Sequence, residues 1–160
     1  MTPVYATSSN KTDQKAAKFA ELWSNDMFLQ PAIKGTFPKE LVSILKKDGV
    51  LWESTKDELE IIKKSTIDVL GVNYYHPFRV AAPKVSPKSL QDWLPDIYFR
   101  EYEMPGVVMN VDKGWEIYPR ALYDIAVNVK EKYGNLPWFV SENGMGVSNE
   151  ERFITNGIVQ

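Results

Sequence analysis

The sequence of 160 residues has no cysteine and a single histidine, His76. The absence of cysteine excludes disulfides, thiolate nucleophiles and cysteine-bound zinc. One histidine cannot form a multi-histidine metal site, and neither familiar glycine-rich phosphate loop occurs. We therefore expect no metal, no nucleotide and no other cofactor.

The chain also lacks a dominant charge and a long hydrophobic run. Its 19 basic and 21 acidic residues give a net charge of −2, so no global field attracts nucleic acid or an anionic membrane. No run of about 18 apolar residues is present, and the first residues lack the basic and apolar regions of a signal peptide. These features predict a globular, cytoplasmic protein without nucleic-acid or membrane partners.

Aromatic residues and carboxylates are abundant instead. The sequence has 5 Trp, 8 Tyr and 7 Phe beside 21 acidic residues. Aromatic faces pack against sugar rings while carboxylates accept hydrogen bonds from hydroxyl groups, but the same residues also build an ordinary core. The composition is therefore compatible with sugar binding without requiring it.

The first third of the chain predicts a short extended segment over residues 3–6, followed by helices. The first helix has Thr12 as its cap and Pro31 as its stop. A second helix starts at Pro38 and is closed by Gly49, and residues 55–58 form a capping box that opens a third. The apolar stripe of the first helix consists of Ala16, Ala20, Trp23 and Met27.

The second half of the chain predicts a βαβ unit. A strand over residues 67–75, a helix over 119–133 and a strand over 138–142 follow one another. The apolar run of the first strand is typical of a strand buried on both faces of a parallel sheet, and the second strand is also predicted to be buried. The connection from 76 to 118 is long and rich in proline, including Pro87, and its aromatic residues favour a packed active-site loop. The tail after residue 148 predicts no closing element.

The two predicted strands end in polar and aromatic side chains. Parallel strands joined by a helix end at the same edge of a sheet, so Asn73, Tyr75 and Glu142 should lie close together. Chemistry in α/β proteins occurs at that edge. The alternative is structural: Glu142 beside an Asn-Gly turn in solvent, Tyr75 packed under a loop and Asn73 holding a turn.

Three motifs resemble signatures of family 1 of the glycoside hydrolases and occur in that family's order. They are Val-Ser-Glu-Asn-Gly at 140–144, Asn-Tyr-Tyr at 73–75 and Gly-Trp-Glu-Ile at 114–117. Thr-Pro-Val-Tyr-Ala at 2–6 resembles the end of the family's fifth barrel strand. The stretch at 141–147 is most similar to the bacterial 6-phospho-β-glucosidase branch.

The resemblance implies an α/β fold that is part of a (β/α)8 TIM barrel. Residues 1–160 would be a single fragment covering about barrel units five to seven, without the first four strands and the last. An open partial barrel exposes apolar strand faces, so self-association of the fragment is a further expectation.

The resemblance also implies roles for individual residues. Glu142 matches the catalytic nucleophile of a retaining glycosidase, and Tyr75 matches the hydroxyl that donates a hydrogen bond to it. Asn73 matches a polar neighbour of the substrate, and Trp115 an aromatic wall at the leaving-group side. For Trp115, a core tryptophan before a helix is the alternative.

One departure limits what the fragment does. In the family the acid/base glutamate belongs to an Asn-Glu-Pro motif, which this sequence does not contain. The implied activity is hydrolysis of a small β-glycoside, 6-phosphorylated, by a double displacement on two carboxylates, with the fragment alone inactive. The alternatives are an ordinary β-glucosidase, a 6-phospho-β-galactosidase, or a non-catalytic sugar-binding module.

Overall fold

A computed structural model describes residues 1–84 and 93–159 as an α/β structure. Its helices are α1 (Lys11–Glu21), α2 (Met27–Lys34), α3 (Lys39–Lys47), α4 (Lys56–Lys64) and α5 (Arg120–Lys132). Its strands are β1 (Val4–Ala6), β2 (Leu70–Asn73), β3 (Phe78–Ala81), β4 (Arg100–Glu101), β5 (Met109–Asn110), β6 (Trp115–Glu116), β7 (Trp138–Glu142), β8 (Ile154–Thr155) and β9 (Ile158–Val159). Within the described ranges, no helix combines the length and apolar character needed to cross a membrane.

The first helix begins and ends at different residues from those predicted. Asn10, not Thr12, is the N-cap, because its side-chain oxygen accepts the backbone N–H of Asp13 at 2.7 Å. Pro31 does not end the helix either: α1 passes through a π-helical turn into α2, which continues to Lys34. Proline removes one helical hydrogen bond, yet the helix continues, and Leu29 in the same helix is buried in a hydrophobic cluster.

Helices α3 and α4 follow the predicted pattern closely. Pro38 caps α3 rather than forming its first turn, and Gly49 follows its end with φ 73°, a conformation that favours glycine. The capping box before α4 is confirmed, since Thr55 accepts from the Glu58 backbone N–H while the Glu58 carboxylate accepts from that of Thr55.

The predicted βαβ unit is confirmed. Strands β2 and β7 are parallel neighbours, with Leu70 opposite Trp138 and Asn73 opposite Glu142 after a register shift at Val72. Helix α5 packs onto β2 in one of two hydrophobic clusters. The buried members of that cluster are Leu29, Leu70, Val72, Tyr74, Ala121, Ile125, Val129 and Tyr133.

The predicted burial of the two strands, on both faces for the first, is wrong. Burial alternates along strand β2, with Leu70 and Val72 buried and Gly71 and Asn73 exposed. In β7, Phe139 is 55% exposed and Val140 40%. Helix α5 covers only one face of this two-stranded sheet, so side chains on the other face remain open within the described part of the chain.

The long connection after Tyr75 contains more regular structure than predicted. Strand β3 pairs in parallel with β1 and antiparallel with β4, and β5 pairs with β6 as a hairpin. The predicted packing of its aromatic residues is confirmed for Trp93 and Phe99, which join the second hydrophobic cluster, around α1 and α3. Residues 85–92, including Pro87, lie outside the described ranges.

The tail carries a small hairpin, β8–β9, instead of irregular chain alone. Its turn residues Asn156 and Gly157 have φ values of 54° and 78°, which an Asn-Gly hairpin turn requires. Within the described residues these two strands pair with each other and with no strand of the other sheets. The Asn-Gly pair is the signal that predicts this hairpin from sequence.

Candidate active site

Glu142 lies at the carboxyl end of β7, next to the end of β2. The Tyr75 hydroxyl donates a short hydrogen bond to the Glu142 carboxylate. The Glu142 backbone carbonyl accepts the N–H of Tyr74 at 2.9 Å, which fixes the two strand ends against each other. The predicted proximity of these residues is therefore confirmed, although 67 positions separate Tyr75 from Glu142 in the sequence.

Asn73 occupies the same edge and is held by a neighbour. The Ser141 hydroxyl donates to the Asn73 side-chain oxygen at 2.6 Å. Gly71 leaves room for this contact, because a Cβ at that position would lie 3.1 Å from the Ser141 hydroxyl oxygen. The register shift before Asn73 brings it opposite Glu142 rather than opposite Ser141.

Trp115 stands beside this pair rather than inside a hydrophobic cluster. Its ring centroid lies 5.2 Å from that of Tyr75, with the planes tilted by 42°. The ring of His76 stacks on it at 5.3 Å and 27°. Trp115 is half-buried, so part of its surface stays accessible. Trp115 therefore does not pack as a core tryptophan in either hydrophobic cluster of the described residues.

The electrostatics of the pair follow from its hydrogen bond. Donation to the Glu142 carboxylate raises the pKa of Tyr75 above its ordinary value of 10.0. The hydroxyl therefore remains protonated, and remains a donor, throughout the neutral range. The carboxylate in turn has a fixed partner for its negative charge.

An ion pair that the sequence did not reveal supports the strand carrying Trp115. Arg79 donates from Nε and from a terminal nitrogen to the two oxygens of Glu116, each at 2.6 Å. Its guanidinium lies beside the rings of Tyr5 and Tyr118, at 5.3 and 5.1 Å from their centroids. The Glu116 carboxylate raises the pKa of Arg79. Only Glu116, inside the Gly-Trp-Glu-Ile motif, carried a sequence signal.

Hydrogen bonds of Tyr74 and Asn143 hold the same edge in place. The Tyr74 hydroxyl donates to the Tyr118 carbonyl at 2.8 Å, and burial raises the pKa of Tyr74 to about 12. The Asn143 side chain donates to the Tyr74 carbonyl at 2.6 Å. A cavity of about 190 Å³ opens between Trp115, Tyr75 and the turn after Glu142.

The arrangement is suited to chemistry on a sugar. An exposed carboxylate with a single hydroxyl donor can act as a nucleophile or a base, and the adjacent aromatic faces can pack on a ring. The carboxylate, hydroxyl and amide of this edge are groups that bind sugar hydroxyls. A second carboxylate within reach of Glu142 would be needed for glycoside cleavage.

The chain is similar to one part of several longer proteins of known type. It is 52% identical over 161 residues to the 6-phospho-beta-glucosidase GmuD of Bacillus subtilis, covering all of this chain and 35% of that protein. A family 1 β-glucosidase from Thermotoga maritima matches with a TM-score of 0.70 at 27% identity, over 93% of this chain and 31% of its own. A β-glucosidase from Exiguobacterium marinum matches in fold with a TM-score of 0.75 at 24% identity, over 100% and 33%.

These matches confirm the predicted partial (β/α)8 barrel, and the chain spans about a third of the length of the relatives it matches. The family profile described as Glycosyl hydrolase family 1 matches residues 1–157. This chain therefore belongs to family 1 of the glycosyl hydrolases.

Proposed function

We propose that a protein carrying this chain in a complete barrel is a retaining β-glycosidase that hydrolyses 6-phospho-β-glucosides, with Glu142 as its nucleophile. The hydrogen bond from Tyr75 to the Glu142 carboxylate, at the end of two paired parallel strands, is the observation that carries the proposal. The 52% identity to a relative described as a 6-phospho-beta-glucosidase supports the substrate class.

In this reaction Glu142 attacks the anomeric carbon while a second carboxylic acid protonates the leaving oxygen. Water then cleaves the covalent glycosyl ester, with the second group acting as base. Tyr75 donates a hydrogen bond to the nucleophile, Asn73 contacts the sugar, and Trp115 packs on the leaving group. The two carboxylates of retaining enzymes lie about 5–5.5 Å apart.

The chain alone should be inactive. It lacks the Asn-Glu-Pro motif that carries the acid/base glutamate in the family, so a poor leaving group is not protonated. Each factor of ten in rate corresponds to about 1.4 kcal/mol of barrier. Release of product above background by the purified 160-residue chain would contradict this.

A chimera tests the chemistry directly. In it, this chain replaces the matching segment of the Bacillus subtilis relative, so that the rest of the barrel is supplied. Incubation with a 2-deoxy-2-fluoro 6-phospho-β-glucoside should trap the glycosyl-enzyme, and peptide mapping should find the label on Glu142. Glu142→Gln is the matched negative control, and a label on any other residue would refute the assignment.

The preference for a phosphorylated sugar needs a longer protein that carries this chain. By resemblance to the family, the segment that binds the substrate phosphate lies beyond residue 160. In the chimera that segment comes from the relative, so the chimera would report the relative's preference. Comparable kcat/KM values for glucosides with and without the phosphate would favour the ordinary β-glucosidase. Sugar binding without any labelling would favour the non-catalytic module. The predicted cytoplasmic location belongs to the same proposal, and cell fractionation tests it.

Self-association of the 160-residue chain is also part of the proposal. Phe139 and Val140 are exposed on β7, and apolar strand surface of this kind favours pairing with another copy. Light scattering should therefore give a mass above that of a monomer. Phe139→Lys should shift the mass distribution toward monomer. Phe28 on α2 is similarly exposed, so Phe28→Lys is the matched control and should leave the distribution unchanged.

A further inference from the structure

The turn between β5 and β6 is tied to the segment that follows Glu142. The Asp112 carboxylate accepts hydrogen bonds from both the backbone N–H and the hydroxyl of Ser148, at 2.9 and 2.5 Å. Asn110 donates from its side chain to the Gly146 carbonyl at 2.8 Å. These side chains join two loops that lie 36 positions apart in the sequence.

Gly146 and Lys113 allow the loops to approach this closely. A Cβ at Gly146 would lie 2.7 Å from Lys113 Cγ and closer still to its Cε, so a larger residue there would require the Lys113 side chain to shift. The Lys113 ammonium in turn lies 5.8 Å from the centroid of the Trp115 ring. The contact is therefore built from backbone, aliphatic and charged groups together.

The same turn sets the position of Trp115. Asn110 pairs with Trp115 across the β5–β6 hairpin, and its carbonyl accepts the N–H of Gly114 at 2.9 Å. On the other side, Asn143 fixes the start of the segment to the end of β2. The segment after Glu142 is thus held at both ends, once beside the carboxylate and once beside the aromatic wall.

We propose that Asp112 is a positioning residue, which holds Trp115 at a set distance from Glu142 through its contact with Ser148. This inference rests on the proposed function. It concerns only steps in which a leaving group or an acceptor occupies the space beside Trp115. Attack by water on the glycosyl-enzyme, which needs no such occupant, is independent of Asp112.

The test uses the chimera, in which labelling at Glu142 first identifies Glu142 as the nucleophile. The trapped glycosyl-enzyme regains activity by hydrolysis or by transfer to added phenyl 1-thio-β-glucoside. In the transfer, an acceptor oxygen bonds to the anomeric carbon, the ester bond to Glu142 breaks, and the acceptor proton passes to the second carboxylate. A change in the transfer rate alone indicates an effect on the leaving-group side of the site, whereas a change in both rates indicates an effect elsewhere.

Asp112→Ala should slow transfer about tenfold, because the charge-assisted contact with Ser148 is lost. The rate of hydrolysis should stay within twofold of that of the unchanged chimera. Asp112→Asn keeps one acceptor oxygen, so its transfer rate should lie between those of the unchanged chimera and Asp112→Ala. This variant also provides the test if Asp112→Ala folds poorly. Glu150→Ala, an exposed acid nearby, should change neither rate. Equal slowing of both routes, or unchanged transfer, would overturn the proposal. A parent chimera without label on Glu142 would instead refute the proposed function.

Hydrogen exchange in the 160-residue chain tests the contact without any activity. The Ser148 amide hydrogen, bonded to Asp112, should exchange about tenfold faster in Asp112→Ala than in Glu150→Ala. Equal exchange rates in the two variants would overturn the proposal.

Discussion

The hydrogen bond between Tyr75 and Glu142 determines what this edge of the sheet can do. Glu142 is exposed in this chain and Tyr75 is 37% exposed, so solvent screens part of their interaction. Water can compete for a hydrogen bond at an exposed position, so this bond stabilises the open edge less than it would a buried one. In a closed barrel, exclusion of water would strengthen the same contact.

Replacing Tyr75 by phenylalanine removes the donor and keeps the ring. In the chimera, Tyr75→Phe should lower kcat/KM for an aryl 6-phospho-β-glucoside about tenfold, because the nucleophile loses its partner. Tyr123→Phe, at an exposed position on α5, is the control and should leave kcat/KM unchanged. Equal kinetics in the two variants would show that Tyr75 serves packing alone.

Among the elements, β1, α1 and β3 meet at one buried carboxylate. Asp13 accepts hydrogen bonds from the side chains of Ser8 and Asn10 at 2.6 and 2.9 Å, and from the Ala82 backbone N–H at 2.8 Å. These bonds lower the pKa of Asp13 from 3.8 to about 2, with the Ala82 N–H as the largest cause. A single side chain therefore joins the start of α1 to the chain after β3.

This arrangement predicts a pH dependence of stability. Because the folded-state pKa of Asp13 is depressed, its contribution is complete above the ordinary value and is lost as the pH falls toward 2. In urea unfolding, the midpoint of the wild-type chain should exceed that of Asp13→Asn at pH 5, and the difference should shrink by pH 2.5. Asp68→Asn, at an exposed site, is the control. A difference that does not change with pH would contradict the assignment.

At the scale of the whole molecule, a buried network connects the first helices to α5. Asp26 lies in the π-helical turn. Its Oδ1 accepts hydrogen bonds from the Tyr133 hydroxyl and the Lys132 ammonium, each at 2.5 Å. Lys132 also lies 3.5 Å from Glu21. The Asp26 side chain is 3% exposed, so its charge depends on these partners. Residues more than 100 positions apart are joined in this way.

Lys132→Ala should destabilise the chain by about 1–3 kcal/mol, because it leaves the Asp26 carboxylate buried without its cation. This range is below that of a fully buried pair, since the Lys132 side chain is 31% exposed. Lys130→Ala on the same helix is exposed and should change stability by less than about 0.5 kcal/mol. Chemical denaturation of both variants gives the comparison, and equal values would contradict the role of Lys132.

Local patterns predicted the helices, the βαβ unit and the meeting of Tyr75 with Glu142, because each depends on periodicity or on the ends of parallel strands. The Arg79–Glu116 ion pair and the contact between Asp112 and Ser148 could not be predicted. Each joins segments about 36 positions apart, whose approach is set by tertiary packing. The apolar residues of β7 alone predict a buried strand, and only the resemblance to part of a barrel predicts that Phe139 and Val140 are exposed.

The register shift between Val72 and Asn73 also limits how this part of the chain can vary. The strands pair regularly before it, and Asn73 meets Glu142 only because one residue of β7, Ser141, is passed over. Substitutions leave that spacing intact, whereas a one-residue insertion or deletion between Val140 and Glu142 would move the carboxylate away from Tyr75. A designer who transplants this site to another barrel must therefore transfer the irregular spacing together with the side chains.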